Sequence, residues 1–385
     1  MEDYPLFFTT AVAALAAALA CAGAAAADAE KPPAFWKSTV ADVEQALKAV
    51  RKGEVRVLTR STGGRDVCLV AYGERVERRG TANYNSACAG QRPAAYALKD
   101  GAQRPVVLLL GPVHGGEMEG IVGLLNLVRV AESGEDWRGR RWDRLAGNLA
   151  ACRVLIVPVG NPDARARFPW DSSIGRKLEE YERLLMGVGP DGKAYQWPGV
   201  KRIHPMRGAA VTTLGAYFTD AGVNLMHDEW FAPMAHETTV VLNLARDEAP
   251  DYVVSLHSRA SYPGVLPTAY VPQTVKETIR EFGGLLQQRY KAAGLPHGSG
   301  GPVVEEDGKA FPPPAFNLAS ALHHVCGAVA MVHEACAGMA DARYPQMTYE
   351  QILDSEMFLF DELLEYAVQH RVSWTAGGAT GTGKD

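Results

Sequence analysis

Four short polar motifs in the sequence each follow an apolar run that is typical of a β-strand. They are His114 with Glu117 after residues 106–110, Asn161-Pro162-Asp163 after 154–157, His257 after 252–256, and Glu334 after 328–332. In an open α/β sheet, ligands and catalytic groups gather in the crevice beyond the carboxyl ends of the strands. Two histidines and a carboxylate that arrive at such a crevice predict a zinc site.

Catalytic zinc usually has three protein ligands and an open position for water, and two histidines with one glutamate are a common set. His114 and Glu117 are three residues apart in the motif His-Gly-Gly-Glu, so both side chains can turn towards one ion. The two glycines permit a tight backbone and leave room for a substrate. We expect one Zn²⁺ per chain, with His257 as the distant third ligand.

Each of these residues alone also has an ordinary explanation. A His-x-x-Glu pair occurs often by chance and is by itself more typical of an exposed helix start. His257 alone would be a satisfied histidine at a strand end. Glu334 alone would be half of an ion pair, although a carboxylate that follows an apolar run is costly to bury without a partner. The conjunction of all four residues favours a catalytic site.

Length and composition fit a large α/β protein. The chain has 385 residues, of which 47% are hydrophobic and 22% are charged, which is sufficient for a full core. Strand-like runs alternate with helical patterns, which predicts an α/β fold with a mixed, largely parallel central sheet and helices on both faces. The formal net charge of −5 gives no indication of a nucleic-acid partner.

Apolar periodicity predicts where the helices and one hairpin lie. Helices are expected at 33–52, directly after Glu117, and at 235–246, 273–293 and 349–370. Strands at 55–58 and 67–72 flank a Ser-Thr-Gly-Gly turn and predict a hairpin. Residues 165–220 are rich in proline and glycine, and we interpret them mainly as long loops that line or cover a site.

The two ends of the chain carry signals of their own. Residues 6–27 are apolar and rich in alanine, which predicts a cleaved secretory signal, with cleavage after Ala27. The mature protein would then be exported to the periplasm or the extracellular space, without stable membrane insertion. The expected segments are a signal peptide at 1–27, an N-terminal helical extension at 28–54, a catalytic domain at 55–372 and a disordered tail at 373–385.

Five cysteines follow the predicted signal peptide. An odd number leaves at least one thiol free or paired between chains. Cys68 and Cys88 are the first candidates for a disulfide. Cys152 precedes an apolar strand, and we interpret it as a small buried hydrophobic residue.

The order of the motifs resembles that of the carboxypeptidase A-like zinc peptidases. The similarity runs from about residue 55 to about residue 370, and it includes Gly222-Val223-Asn224-Leu225 and His257-Ser258. The resemblance implies a zinc carboxypeptidase-like (phosphorylase/hydrolase-like) fold. It also implies that the zinc ligands are His114, Glu117 and His257 and that the catalytic glutamate is Glu334.

The same resemblance implies hydrolysis of an amide bond. Zinc would polarise the scissile carbonyl and lower the pKa of its bound water towards ~7, while Glu334 takes the water proton and returns it to the leaving amine. A positioned general base of this kind typically contributes ~10² to 10⁴-fold in rate. Since adjacent residues on a strand point to opposite faces, His333 is expected to face away from the metal if Glu334 faces it.

The sequence departs from the family pattern where relatives grip a terminal carboxylate. Relatives usually read Gly-Val-Asp-x-Asn-Arg, whereas this chain has Met226 and His227 in place of Asn-Arg. Asn224 replaces the acidic residue that supports a zinc histidine in relatives. Guanidinium groups pair with carboxylates, so two arginines after the Asn-Pro-Asp motif are further candidates. The predicted substrate-binding residues are Arg165, Arg167, Asn224 and His227.

Three functions remain open from the sequence. The first is a secreted zinc peptidase of the metallocarboxypeptidase type, and the second is a zinc amidohydrolase that removes an acyl group from a small amino acid. The third is a catalytically silent binding module. Glu334 beside a complete ligand set argues against the third, because a binding module has no use for a general base. The expected substrate is therefore a peptide or an acyl amino acid.

Overall fold

A mixed sheet lies at the centre of the fold. The computed structural model describes residues 31–298 and 311–374 of the chain. The strands in these ranges are β1 (Glu54–Arg60), β2 (Asp66–Tyr72), β3 (Val106–Leu110), β4 (Arg153–Val157), β5 (Gly187–Val188), β6 (Thr213–Leu214), β7 (Tyr252–Arg259), β8 (Gly264–Leu266) and β9 (Val329–Cys336). β5 and β6 form a pair of their own, and the others lie in the order β1-β2-β4-β3-β7-β9-β8.

The pairing directions agree with the predicted sheet. β4, β3, β7 and β9 pair in parallel at the centre, whereas β1, β2 and β8 join the sheet antiparallel at its edges. The predicted α/β fold with a mixed, largely parallel sheet is confirmed. The predicted hairpin is also confirmed, since β1 and β2 are antiparallel neighbours.

The helices follow the strands in the expected alternation. They are α1 (Val40–Ala49), α2 (Tyr84–Ala89), α3 (Glu119–Ser133), α4 (Asp143–Ala151), α5 (Pro162–Arg167), α6 (Leu178–Met186), α7 (His236–Glu248), α8 (Gln273–Ala292), α9 (Leu318–Cys326) and α10 (Tyr349–Gln369). The helix predicted after Glu117 is confirmed as α3. Those predicted at 235–246, 273–293 and 349–370 are confirmed as α7, α8 and α10.

Residues of the central strands alternate between two hydrophobic layers, which explains why these strands are apolar throughout. Val107 and Leu109 of β3 belong to a layer shared with α3, α8 and α10. Leu108 and Leu110 belong to a layer on the other face, shared with α7 and α9. A parallel strand that is covered on both faces buries both sets of side chains.

The first helix is shorter than the prediction of 33–52. It begins after Thr39, whose side chain accepts a hydrogen bond from the Asp42 amide, while the Asp42 carboxylate accepts one from the Thr39 amide. This reciprocal capping box fixes the helix start. The residues before it are not helical, and they contribute Phe35 and Trp36 to the core.

The prediction of long loops at 165–220 is wrong in part. α6 and the β5–β6 pair lie in this segment, and a third hydrophobic cluster forms around Phe168, Tyr181, Leu185 and Phe218. Tyr181 and Leu185 are four residues apart, so they share one face of α6 and turn it towards that cluster. The frequent proline and glycine residues hide this pattern in the sequence.

The structure also changes two expectations about the chain end and the cysteines. Trp374 is ordered, because its amide donates to the carbonyl of Lys99 at 2.9 Å, so the predicted tail at 373–385 begins too early. The five cysteines in the described ranges are free, so Cys68 and Cys88, the first candidates for a disulfide, are not paired. Cys68 lies within the sheet on β2 and Cys88 is exposed on α2. Cys152 is fully buried, as predicted.

Two other predictions fall on parts of the chain that are not described. The signal peptide at 1–27 and the tail after residue 374 lie outside the described residues. Within the described residues, no helix is both long enough and apolar enough to span a membrane.

Candidate metal centre and active site

The polar motifs meet at the carboxyl ends of neighbouring parallel strands. β3 and β7 are paired neighbours, so the loop that carries His114 after β3 lies beside the end of β7, where His257 is found. β7 and β9 are also paired, and His257 lies directly opposite Glu334 in their register. The sheet therefore positions these residues at the carboxyl ends of its central strands, as the sequence predicted.

The two glycines between His114 and Glu117 allow the loop to pack tightly. A Cβ on Gly115 would lie 2.1 Å from the backbone of Ala164, and one on Gly116 would lie 2.9 Å from the Phe168 ring. Both positions therefore exclude a side chain. The space that the glycines leave is filled by α5 and Phe168 and not by a substrate, which corrects that part of the expectation.

Three side chains converge on one point in this site. The Nδ1 atom of His114 lies 2.8 Å from Oε1 of Glu117, and the Nδ1 atom of His257 lies 2.7 Å from Oε2. The three residues are buried, and one ligand atom from each lies within 4.8 Å of the others. Two imidazole nitrogens and a carboxylate form the nitrogen and oxygen donor set that suits a catalytic zinc ion.

The hydrogen bonds of His114 support a cation at this point. Its Nε2 atom lies 3.1 Å from Oδ1 of Asn224, and the same oxygen accepts a hydrogen bond from the Met226 amide. Nε2 therefore carries the proton of the neutral ring, and the lone pair of Nδ1 faces the Glu117 carboxylate. Burial lowers the pKa of His114 more than Glu117 raises it, which disfavours a second proton on the ring. A metal ion between the two acceptors fits this arrangement.

The charges of the other two residues support the same assignment. Burial alone would raise the pKa of Glu117, but His114 and His257 outweigh it and lower the pKa to about 2. Burial acts to lower the pKa of His257, but the carboxylates of Glu117 and Glu334 outweigh it and raise the pKa. The Nε2 atom of His257 lies 3.1 Å from the Ser255 hydroxyl, so its Nδ1 also faces the centre.

Glu334 and His333 lie on opposite faces of β9, as predicted. Burial raises the pKa of Glu334 to about 7, with His257 acting in the opposite direction. A carboxylate with a pKa near the working pH is suited to general acid–base catalysis. His333 turns away from the centre, and its Nε2 atom lies 3.1 Å from the Tyr290 hydroxyl.

The two arginines predicted to bind substrate are held by the protein itself. The buried guanidinium of Arg165 donates to the backbone carbonyls of Ser38 and Trp170, both at 2.8 Å. Arg167 pairs with Asp220 and also donates to the carbonyl of Phe218. Neither guanidinium is free to bind a carboxylate, so these two predictions are corrected. The prediction failed because nothing in the sequence indicates that distant backbone carbonyls converge on these side chains.

Asn224 and His227 lie at the site but not in the roles first expected. Asn224 supports His114 through the hydrogen bond already described and is buried. His227 is half-buried, and burial, followed by the positive charge of Lys201, lowers its pKa to about 3. His227 is therefore neutral near pH 7 and does not supply a positive charge for an anionic group.

Several residues at the site were missed from the sequence. The Tyr217 ring stacks on His114 with centroids 3.9 Å apart, and the hydroxyl of Tyr181 is buried without a hydrogen-bond partner among the described residues. Lys201 interacts electrostatically with Glu117 and Glu334. All three lie in the segment first interpreted as loops, where the only sequence signal was the apolar helix face of α6.

Comparison with known proteins identifies the fold. No family model and no curated protein matches the sequence, whereas solved structures match the fold. A metallo-carboxypeptidase from Burkholderia cenocepacia is 17% identical and superposes with a TM-score of 0.51, covering 86% of this chain and 68% of that one. Bovine thrombin-activatable fibrinolysis inhibitor, solved with a tick carboxypeptidase inhibitor, is 9% identical with a TM-score of 0.53, covering 87% and 99% of the two chains.

At these identities the similarity concerns the three-dimensional architecture alone. The matched architecture is the one that the order of the polar motifs indicated. The chain therefore has the α/β fold of the metallocarboxypeptidases.

Proposed function

We propose that the protein is a metal-dependent hydrolase of amide bonds, with one zinc ion held by His114, Glu117 and His257. The convergence of two Nδ1 atoms on the two oxygens of one carboxylate supports this ligand set. Nitrogen and oxygen ligands of this kind suit zinc, and they also accept neighbouring transition metals. The metallocarboxypeptidase fold is consistent with the proposal.

His114, Glu117 and His257 would hold the zinc ion, which when bound would supply Lewis-acid chemistry for the scissile carbonyl and for a water molecule. Glu334 is the general base that removes the proton of the attacking water and then gives it to the leaving nitrogen. Its pKa of about 7, raised by burial, allows it to perform both transfers near neutral pH. Asn224 orients the ring of His114, because its Oδ1 atom accepts a hydrogen bond from the Nε2–H group.

One observation carries the proposal. Glu334 lies directly opposite His257 in the parallel register of β7 and β9, so the sheet itself places a carboxylate beside the ligand set. A module that only binds a metal or a ligand would not need this second carboxylate. We therefore prefer a hydrolase over a silent binding module.

A peptidase is the first choice of activity, and a deacylase for acyl amino acids is the second. One observation favours keeping the second. The positions that grip a terminal carboxylate in carboxypeptidases hold Met226, which is buried, and His227, which is neutral near pH 7. A recognition group for the substrate must therefore come from elsewhere in this chain.

The decisive experiment combines metal analysis with product analysis. The protein would be purified, its zinc content measured, and a mixed library of peptides and N-acyl amino acids incubated with it and with Glu334→Gln. We expect one zinc per chain in both proteins, and products in the mass spectra of the wild-type reaction alone. Zinc without any product from either library would contradict the hydrolase proposal and leave a binding module.

Export of the protein is a separate proposal that rests on residues 1–27. Expression of the full chain in a bacterium with a periplasm, followed by fractionation and intact-mass measurement, tests it. We expect a periplasmic product that begins at Asp28, and an uncleaved cytoplasmic product would contradict export.

A further inference from the structure

Two cationic side chains near Glu334 have no anionic partner among the described residues. Lys201 belongs to a short 3-10 helix, Gly199–Arg202, and its ammonium lies 5.3 Å from the centroid of the Trp197 ring. Among the described residues, no carboxylate lies within ion-pairing distance of this ammonium, and no hydrogen-bond acceptor contacts it. The exposed indole holds the cation through a cation–π interaction and leaves its hydrogen-bond donors free.

The charge of the Lys201 ammonium acts on the two carboxylates of the candidate active site. Burial lowers its pKa, and the carboxylates of Glu117 and Glu334 act against this effect. The ammonium contacts the Trp197 ring, and its charge also acts on His227 and His257. The charge of Lys201 therefore lies near the candidate metal centre.

Arg259 reaches the same site from the sheet. It is the last residue of β7, two positions after His257, and side chains two apart on a strand share one face. Arg259 thus projects on the same face as His257, two residue pairs beyond the position where His257 lies opposite Glu334. Its guanidinium is exposed, and none of the described carboxylates pairs with it. Its positive charge acts on Glu334, where it lowers the pKa.

The balance of charge in the site then requires an anion. A divalent metal ion would compensate the two carboxylates of Glu117 and Glu334. Among the described residues, Lys201 and Arg259 would then remain as two positive charges without a counter-charge. A substrate anion would compensate these charges, and a guanidinium is the group best shaped to bind a carboxylate with two hydrogen bonds.

We propose that Lys201 and Arg259 form a cationic subsite beside Glu334 that binds a carboxylate of the substrate, next to the amide bond that is cleaved. This inference rests on the proposed hydrolase function and adds the substrate class, an amide whose neighbouring residue bears a negative charge. The planar guanidinium of Arg259 binds the carboxylate with two hydrogen bonds. Lys201 adds a second positive charge, whose position is fixed by its contact with the Trp197 ring. The subsite takes over the recognition that Met226 and His227 do not provide.

The test compares matched substrates and matched variants. The variants are Lys201→Met, Arg259→Gln and their combination. The controls are Lys193→Met and Arg141→Gln, whose side chains are 84% and 66% exposed and paired with nearby aspartates. Each protein would be assayed with a blocked dipeptide that has a free C-terminal carboxylate, with its C-terminal amide, and with an amide that carries a side-chain carboxylate.

We expect the wild-type protein to prefer a carboxylate-bearing substrate over the amide. Each subsite variant should raise KM for that substrate by about 10- to 100-fold with little change in kcat, because a hydrogen bond to a charged group typically contributes about 1.5–3 kcal/mol. The kinetics of both controls should not change. Removing a charge near Glu334 affects all substrates alike, so the loss for the carboxylate-bearing substrate should clearly exceed the loss for the neutral amide. The substrate with the largest effect identifies whether the carboxylate belongs to the chain end or to a side chain.

A binding measurement separates this inference from the proposed function. Calorimetry with zinc-loaded Glu334→Gln compares N-acetylglycine with N-acetylglycinamide, in the presence and absence of the double substitution. Weaker binding of the acid, but not of the amide, in the double variant supports the subsite even if no hydrolysis is found. Equal binding with and without Lys201 and Arg259, or equal losses for acid and amide substrates, would overturn it.

Discussion

β9 carries two ionisable residues in succession, and their side chains enter two different environments. Glu334 faces the candidate metal centre, whereas His333 faces the opposite layer, where it lies near Tyr290 and Glu356. Both environments combine buried histidine and glutamate side chains. The comparison therefore separates the effect of charged partners on the pKa values from the effect of burial.

On the metal side, ionisable groups compensate one another. The two imidazoles outweigh burial and hold the pKa of Glu117 at about 2. On the other side, neither oxygen of Glu356 has a hydrogen-bond partner among the described residues, and burial raises its pKa to about 8. Burial likewise lowers the pKa of His333 to about 3. Similar residues thus stay charged where they converge on a shared partner and become neutral where they do not.

The largest difference in metal affinity is expected between substitutions of the buried histidines His257 and His333. We expect His257→Gln to lower metal affinity by more than ~100-fold, because even outer partners of metal ligands typically contribute ~10 to 100-fold. His333→Gln should keep one metal per chain, since its ring faces Tyr290. Metal analysis after dialysis and competition with a chelator measure both variants. Equal metal loss in the two would show that the centre depends on packing around β9 and not on ligation by His257.

The two carboxylates should differ as strongly in catalysis. We expect Glu334→Gln to lower kcat by ~10² to 10⁴-fold with the metal retained, which is the usual contribution of a positioned general base. Glu356→Gln should leave kcat nearly unchanged, because Glu356 faces the opposite layer. Single-turnover kinetics on the zinc-loaded proteins would measure both. A comparable loss of kcat in Glu356→Gln would contradict the separation of the two faces.

The raised pKa of Glu356 predicts how the free energy of unfolding depends on pH. Below about pH 4.5 the carboxyl is neutral in both folded and unfolded chains, so it has no effect on pH dependence. Above that value the unfolded chain releases the proton while the folded chain retains it up to its pKa of about 8. The free energy of unfolding of the wild type should therefore fall relative to Glu356→Gln by about 1.4 kcal/mol per pH unit across this window.

Urea denaturation from pH 4 to pH 9 measures this difference. Glu350→Gln is the matched control, since Glu350 is exposed in the first turn of the same helix. A constant difference between wild type and Glu356→Gln across the range would show that Glu356 has a partner or access to water.

The smallest effect is expected from the support of His114. We expect Asn224→Ala to lower metal affinity by ~10 to 100-fold, because the Nε2 proton of His114 loses its acceptor. Asn224→Asp should bind metal at least as tightly as wild type, since a carboxylate is a stronger acceptor for this proton. Chelator competition ranks the three proteins. Identical affinities would show that the stacked Tyr217 ring alone orients His114.

Much of the fold was predictable because its signals are local. The apolar runs that became β3, β4, β7 and β9 were long enough to be recognised, and helices between them followed from apolar periodicity. The polar residues after these strands marked one edge of the sheet, and the structure brings His114, Glu117 and His257 together there. The alternation of a strand also sufficed to turn His333 away from Glu334.

One prediction failed because a local capping signal was overlooked, and the others failed because they depend on contacts between distant segments. The helix predicted from residue 33 begins at Val40, because the capping box formed by Thr39 and Asp42 fixes the helix start there. The charge of Arg165 suggests a substrate-binding role, but its guanidinium donates hydrogen bonds to carbonyls of two separate segments. The segment 165–220 was interpreted as loops, although it contributes Tyr181 and Lys201 to the site.

The sequence by itself determined the types of side chain and the strands that deliver them to one edge of the sheet. Only the tertiary structure decided which of these groups are charged and which are free to act. Burial and neighbouring charges set the pKa values of Glu117, Glu334 and Glu356, and all three depend on the distances between segments that are far apart in the chain. For the same reason, only the fold indicated that the charges of Lys201 and Arg259 act on Glu334 and that neither has an anionic partner among the described residues.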